Sequence, residues 1–154
     1  MILKDTKHNG QTREIRETET WEILGWVLDC CRRHGISEVT LIYGYDWDVG
    51  DKSWADQPVP VVNVCEHVKA EEEKEKGCLG CDDLYLQING EVQVQFCHHA
   101  DVHLQYDPDD LPLAKKLRAL LIEKIGCRFH FTYRVTHSGE ADCRYPRIPS
   151  TIRI

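Results

Sequence analysis

GCLGCDDLYLQINGEVQVQFCHH, residues 77–99, is a hairpin sequence with two cysteines before it and a cysteine and two histidines after it. Apolar and polar residues alternate in LYLQI and again in VQVQF, and this period of two is typical of half-buried strands. Asn89 and Gly90 lie between the two runs, where an Asn-Gly pair is a strong signal for a tight turn. The stretch therefore predicts two adjacent antiparallel strands.

The register of this hairpin follows from its apolar pattern. A two-residue turn would pair Ile88 with Glu91 and place an apolar side chain opposite a charged one. A three-residue loop over 88–90 has glycine at the bulge position that favours it, and it pairs Leu86 with Val92. We therefore predict the three-residue loop.

Continued outward, the predicted register places Cys81 opposite Cys97, where directly opposed Cβ atoms lie about 5 Å apart. Cys78 belongs to the same Cys-x-x-Cys turn as Cys81, and His99 points to the same side as Cys97. Three thiols and an imidazole are a donor set of tetrahedral zinc. We predict a zinc cofactor on Cys78, Cys81, Cys97 and His99, and the alternates for the fourth ligand are Cys65, His67 and His98.

The cellular compartment determines whether the eight cysteines are expected to be thiols or disulfides. The first residues are charged from Lys4 onward and lack the apolar region of a secretory signal, so we expect a cytoplasmic protein. Thiols stay reduced there, which favours metal binding over a disulfide between Cys81 and Cys97. The competing interpretation is a pair of reduced thiols on a strand face beside solvated histidines. Cys31 lies on the apolar stripe of a helix, where cysteine acts as a small hydrophobic residue.

The remaining pattern predicts one α+β domain over 1–154, with 1–17 and 138–154 as peripheral arms. Apolar residues recur at helical spacing in two segments, and we expect both helices to pack on one face of an antiparallel sheet of about five strands. The predicted helices are 20–34 and 110–125, and the predicted strands are 38–43, 61–65, 84–88, 92–106 and 128–136.

The charge distribution excludes some partners. The formal net charge is −7, with 10 Lys/Arg against 23 Asp/Glu in residues 1–112 and 9 against 3 in residues 113–154. Phosphate binding needs a basic face, so we do not expect a nucleic-acid partner. No apolar run approaches the length needed to cross a bilayer, so we do not expect a membrane partner either. A basic protein is the partner that an acidic surface attracts.

The segment 44–58 is the candidate partner-binding loop. Loops of this length without structure of their own are uncommon and are often functional. Exposed aromatic residues beside carboxylates would anchor a protein partner, whereas aromatic residues folded back onto the sheet would not. The residues assigned to partner binding are Trp47, Trp54, Asp46, Asp48 and Asp51.

These features predict a non-catalytic, zinc-stabilised protein-binding module. A small acidic domain of this kind would suit a bacterial immunity or adaptor role, by analogy at the level of fold class. The alternative is a metal-dependent hydrolase that uses the polar face of His98–His103. A zinc deaminase is excluded because His67 stands where that chemistry needs glutamate and Gly77 replaces the proline before the Cys-x-x-Cys pair.

Overall fold

The computed structural model describes residues 1–3 and 6–125, together with the backbone of one further strand at 130–133. Within these residues the fold is α+β, as predicted, with three helices on an antiparallel sheet of seven strands. The helices are α1 (Glu17–Arg33), α2 (Val64–Glu73) and α3 (Pro112–Ile125). The strands are β1 (His8–Gln11), β2 (Glu38–Tyr43), β3 (Gln57–Pro60), β4 (Leu84–Ile88), β5 (Val92–Phe96), β6 (Val102–Tyr106) and β7 (His130–Tyr133).

The strands follow the order β3-β2-β4-β5-β6-β1-β7, and the pairings are antiparallel. The segment 1–17, predicted to be a peripheral arm, supplies β1, which lies between β6 and β7 rather than outside the sheet. β1 has no run of apolar residues, so its pairing depends on strands that are distant in sequence. The predicted arm 138–154 and the outer parts of the predicted strand 128–136 lie outside the described residues.

The hairpin forms as predicted, but its register differs by two residues. Ile88 pairs with Val92 and Leu86 with Val94, so the predicted pairing of Leu86 with Val92 is wrong. The loop consists of residues 89–91, in which Asn89 and Gly90 both have positive φ and the Glu91 N–H donates to the Ile88 carbonyl at 3.2 Å. A shift by two residues leaves every side chain on the same face, so alternation alone cannot choose between these registers.

The predicted strand 92–106 is two strands. β5 ends at Phe96, and the chain turns through residues 97–101 before β6 begins at Val102. The Ala100 N–H donates to the Cys97 carbonyl at 3.0 Å, and Ala100 has a φ of 59°. Apolar and polar residues alternate on both sides of the turn, which is why the pattern resembles one continuous strand.

The predicted strand at 61–65 is wrong, because this segment is helical. Residues Val61–Asn63 form a turn of 3-10 helix that leads into α2. Val61, Val64 and Val68 are buried, whereas Val62 is 74% exposed, which is the spacing of a helix face. The strand in this region is instead β3, at Gln57–Pro60, and its prolines are tolerated because β3 lies at the edge of the sheet.

The core lies between the helices and one face of the sheet. The two predicted helices are α1 and α3, and their apolar stripes pack with α2 against the alternating apolar residues of the strands. Within the described residues, no helix is long and apolar enough to cross a membrane. The cluster includes Ile23, Leu24, Val27, Leu28 and Cys31 from α1 and Leu113, Ala114, Leu117, Leu121 and Ile125 from α3.

The opposite face of the sheet is polar and also buried. A chain of side-chain amides crosses four strands: Gln87 donates to Gln93 at 3.0 Å, Gln93 to Gln105 at 2.7 Å, and Gln105 to Asn9 at 2.9 Å. Each donated bond satisfies a buried amide that would otherwise destabilise the sheet. The last of these hydrogen bonds, from Gln105 to Asn9, joins the side chains of β6 and β1.

Candidate metal centre

The turn between β5 and β6 is the site of the candidate metal centre. Its two ends are tied together because the Cys97 N–H donates to the Asp101 carbonyl at 2.9 Å. Cys97 is buried, His98 is half-buried and His99 is exposed. The ligand atoms of these three consecutive residues all lie within 4.8 Å of one another. One thiol and two imidazoles are donors that zinc accepts, so the turn could hold a metal ion.

A buried carboxylate orients His98. Asp83 Oδ1 accepts the His98 backbone N–H at 2.7 Å and lies 2.8 Å from His98 Nδ1. When Nδ1 carries the proton toward a carboxylate, Nε2 keeps its lone pair for a metal ion. Leu84 pairs with Phe96, so Asp83, the residue before Leu84, comes opposite Cys97. The predicted register would have placed Cys81 there instead.

A second group of potential ligands shares Cys97. The ligand atoms of Cys97, Asp101 and His103 also lie within 4.8 Å of one another, and all three residues are buried. Asp101 accepts a hydrogen bond from Gln11 at 2.8 Å and lies 3.2 Å from His103 Nε2. Burial raises the pKa of Asp101, but the hydrogen bonds from His103, Gln11 and Cys97 outweigh it and hold the pKa below its usual range. Asp101 is therefore an ionised carboxylate with several donors around it.

The Cys-x-x-Cys turn lies apart from these two groups. The Cys78 thiol is hydrogen-bonded to Cys81 and to Glu17, whose Oε1 lies 3.4 Å from Cys78 Sγ. Burial first, and then these two neighbours, raise the pKa of the Cys78 thiol. Within the described part of the chain, neither cysteine belongs to a group of three ligands within 4.8 Å. The geometric reason for joining Cys78 and Cys81 to Cys97 and His99 is therefore lost, and that four-ligand set stays a prediction.

Two of the alternates for the fourth zinc ligand, Cys65 and His67, lie on a different element from Cys97. Both lie on α2, and His67 Nδ1 is 2.7 Å from the Tyr43 hydroxyl, with the two rings stacked at a centroid distance of 5.7 Å. Burial lowers the pKa of His67 and raises that of the Cys65 thiol. The third alternate, His98, is the one that the structure brings to Cys97 and His99. Cys127 and Cys143 lie outside the described residues.

The two tryptophans of the 44–58 loop have different environments. Trp47 is 5% exposed and makes an edge contact with the Tyr43 ring at 4.8 Å, so it faces the core and is inaccessible to a partner. Trp54 is 52% exposed, and Tyr45 is 55% exposed. Tyr45 was not among the predicted partner-binding residues. The predicted carboxylates Asp46, Asp48 and Asp51 are all exposed.

The loop reaches the candidate metal centre through Tyr45. Its ring lies 5.2 Å from the His98 ring, and its carbonyl accepts the Asp83 N–H at 3.1 Å. Sequence reasoning missed the roles of Tyr45 and Asp83, because both depend on pairing between β2, β4 and β5 rather than on any local motif. The observed hairpin register would have been a sufficient signal for Asp83, since it brings that residue next to Cys97.

In comparisons with known proteins, no family model, no curated protein and no solved structure matched this chain.

Proposed function

We propose that this protein is a non-catalytic protein-binding module whose binding loop is stabilised by a zinc ion at Cys97, His98 and His99. The grouping of these three ligand atoms within 4.8 Å is the observation that carries the proposal. A reducing, cytoplasmic location would keep the cysteines as thiols, which lose their protons when they bind a metal ion.

The donor chemistry supports zinc over a harder cation. Sulfur and imidazole nitrogen suit zinc, whereas magnesium and calcium need oxygen ligands. Asp83 fixes the orientation of the His98 ring, and His98 Nδ1 lies 3.8 Å from Cys97 Sγ, so two of the donors are already close together. The fourth ligand would be a water molecule or another side chain of the chain.

A metal ion at this turn would also stiffen the candidate partner-binding loop. His98 would be held between the ion and the Tyr45 ring, which lies 5.2 Å away. Ordering a loop before it binds reduces the entropy lost on association. The zinc would thus act through the geometry of the loop rather than through chemistry on a substrate.

The loop offers a surface that suits a basic protein. Trp54 and Tyr45 are more than half exposed, and aromatic side chains are common anchors of protein interfaces. Exposed carboxylates on the same loop, at Asp46, Asp48 and Asp51, would attract and orient a positively charged partner. An immunity or adaptor protein would use a surface of this kind.

The metal content of protein purified without chelator tests this proposal. We expect bound zinc in the parent protein, and we expect Cys97→Ser to lose one ion per chain together with thermal stability. Cys65→Ser is the matched control, because Cys65 is a half-buried free thiol on α2. A parent protein without zinc, or a Cys97→Ser variant with an unchanged zinc content, would contradict the proposal.

A metal-dependent hydrolase is the second candidate. It is favoured by the exposure of His99, since an ion bound there would have one side open to water, as catalytic zinc sites do. In that case Cys97→Ser would lose zinc without losing stability, and zinc-dependent hydrolysis of an activated ester would disappear with it.

A further inference from the structure

The Cys-x-x-Cys turn holds its two cysteines at a separation that a disulfide can span. The N–H groups of Cys81 and Asp82 both donate to the Cys78 carbonyl, at 3.1 and 3.0 Å. The first of these bonds closes a four-residue turn, whose end Cα atoms lie less than about 7 Å apart. Disulfides form between Cα atoms at about 4.4–6.8 Å. The Cys78 thiol is already hydrogen-bonded to that of Cys81, so the two side chains face each other.

The backbone of this turn is held by contacts that involve neither sulfur. The Asp82 carboxylate accepts the Cys78 N–H at 2.7 Å. Gly80 has a φ of 92°, and a Cβ atom built there would lie 3.1 Å from the hydroxyl oxygen of Thr20 on α1. Only glycine adopts this conformation readily while approaching a helix so closely. The two cysteines therefore stay neighbours while their thiols react.

The two thiols differ in their access to solvent. Cys81 is exposed and lies at a hollow of about 430 Å³ between the start of α1 and the turn after β5. Cys78 is half-buried, and its thiol donates to Glu17 Oε1 at 3.4 Å. Burial first, and then Cys81 and Glu17, raises the pKa of the Cys78 thiol. Because thiols attack disulfides as thiolates, Cys81 is the sulfur that an external disulfide meets first.

We propose that Cys78 and Cys81 are a redox-active dithiol that reduces a small disulfide such as oxidised glutathione. The Cys81 thiolate attacks one sulfur of that disulfide and forms a mixed disulfide, and the first glutathione leaves as a thiolate. The Cys78 sulfur then attacks Cys81 and releases the second glutathione. One disulfide is reduced and one is formed, and the two cysteine protons end on the two glutathione thiols.

This activity goes beyond the proposed function and is independent of it, because it uses none of the residues at 97–99. Intracellular disulfides are typically transient and serve catalysis or redox sensing, so a reversible dithiol suits the expected compartment. The hollow at Cys81 has a volume in the range of small-molecule sites. Its lining is Glu14, Ile15, Arg16, Glu17, Gly80, Cys81 and Ala100.

Mixing the reduced full chain with oxidised glutathione, followed by alkylation and peptide mapping by mass spectrometry, tests the proposal. The parent protein should form a Cys78–Cys81 disulfide, release two glutathione molecules per chain and return to the dithiol in excess reduced glutathione. Cys78→Ser should stop at a mixed disulfide on Cys81. Cys65→Ser is the control and should behave like the parent, and circular dichroism checks that each variant is folded.

The carboxylate of Glu17 should set the equilibrium of this exchange. The hydrogen bond from Cys78 to Glu17 exists only while Cys78 is a thiol, so it stabilises the reduced form. Glu17→Gln should therefore shift the equilibrium with glutathione toward the protein disulfide, by roughly tenfold. Glu14→Gln is the matched control, because it removes the same charge from the same hollow and should leave the equilibrium unchanged.

Three outcomes would overturn the dithiol. The first is a parent protein in which both cysteines are still alkylated after exposure to excess oxidised glutathione. The second is a Cys81→Ser variant that forms a mixed disulfide at Cys78 as fast as the parent protein reacts. The third is loss of zinc from Cys81→Ser, which would make Cys81 a metal ligand while leaving a zinc centre at Cys97 in place.

Discussion

A single buried carboxylate, Asp83, contacts His98 twice: its Oδ1 accepts the backbone N–H at 2.7 Å and lies 2.8 Å from the ring Nδ1. The hairpin pairing places Asp83 beside the turn after β5, so the sheet itself positions the second residue of the candidate metal centre. The geometry of the centre thus depends on strand register more than on the Cys-His-His motif.

We expect Asp83→Asn to weaken zinc binding by roughly tenfold, because groups that orient a ligating histidine typically contribute that much to affinity. Zinc affinity measured by competition with a chromophoric chelator checks this expectation. Asp48→Asn is the control, since it removes the same charge from an exposed position on the loop. An equal loss of affinity in both variants would mean that Asp83 acts only through general electrostatics.

Gly77→Ala should destabilise the fold by about 1–3 kcal/mol, as overpacked core substitutions do. A Cβ atom at Gly77 would lie 2.2 Å from the Trp47 ring, which is buried and cannot move into solvent. Gly25→Ala is the control, because nothing lies within 4 Å of a Cβ atom there and α1 should gain up to about 1 kcal/mol. Urea unfolding measures both effects, and unchanged stability of Gly77→Ala would contradict the packing described.

The two tryptophans of the loop should respond differently to alanine. Trp47→Ala removes a buried indole and should cost about 3–5 kcal/mol, whereas Trp54→Ala should cost about 1 kcal/mol or less. Urea unfolding gives both values. Against a basic protein partner, Trp54→Ala should weaken binding while leaving the fold intact. If the Trp54 variant were as unstable as the Trp47 variant, its side chain would belong to the core and not to an interface.

The stability should depend on pH through His67. Its pKa in the folded protein is lowered from 6.5, first by burial and then by the charges of Lys52 and Lys74, with Glu71 opposing them. The unfolded chain therefore binds more protons below pH 6.5, and the contribution of His67 to stability, present above that pH, is lost as the pH falls. A protonated Nδ1 can only donate, so the Tyr43 hydroxyl 2.7 Å away would then have to accept the hydrogen bond.

This dependence is measured by urea unfolding in chelator at pH 7.5 and pH 5.5. His67→Gln should lose less stability between the two than the parent protein does. His34→Gln, at an exposed position at the end of α1, serves as the control and should behave like the parent. If His67→Gln lost as much stability between these two pH values as the parent protein does, groups other than His67 would be responsible for the pH dependence.

Local patterns were sufficient for several elements. The apolar stripes of α1 and α3, the alternation of β2, β4 and β5, and the Asn89-Gly90 turn each depend on residues within a few positions of one another. Patterns of this kind report which face of an element is buried, because burial repeats with the period of the helix or strand. They do not report which partner residue lies opposite.

For the candidate site, the sequence by itself determined the ligand types, the grouping of Cys97 with His99, and the α+β class. Only the tertiary structure decided that His98 joins them, that Asp83 orients it, and that Cys78 lies against Glu17. The physical reason is that a strand pattern of period two is unchanged by a two-residue shift. The pairing of β4 with β2 on one side and β5 on the other fixes one of the registers that the pattern allows equally.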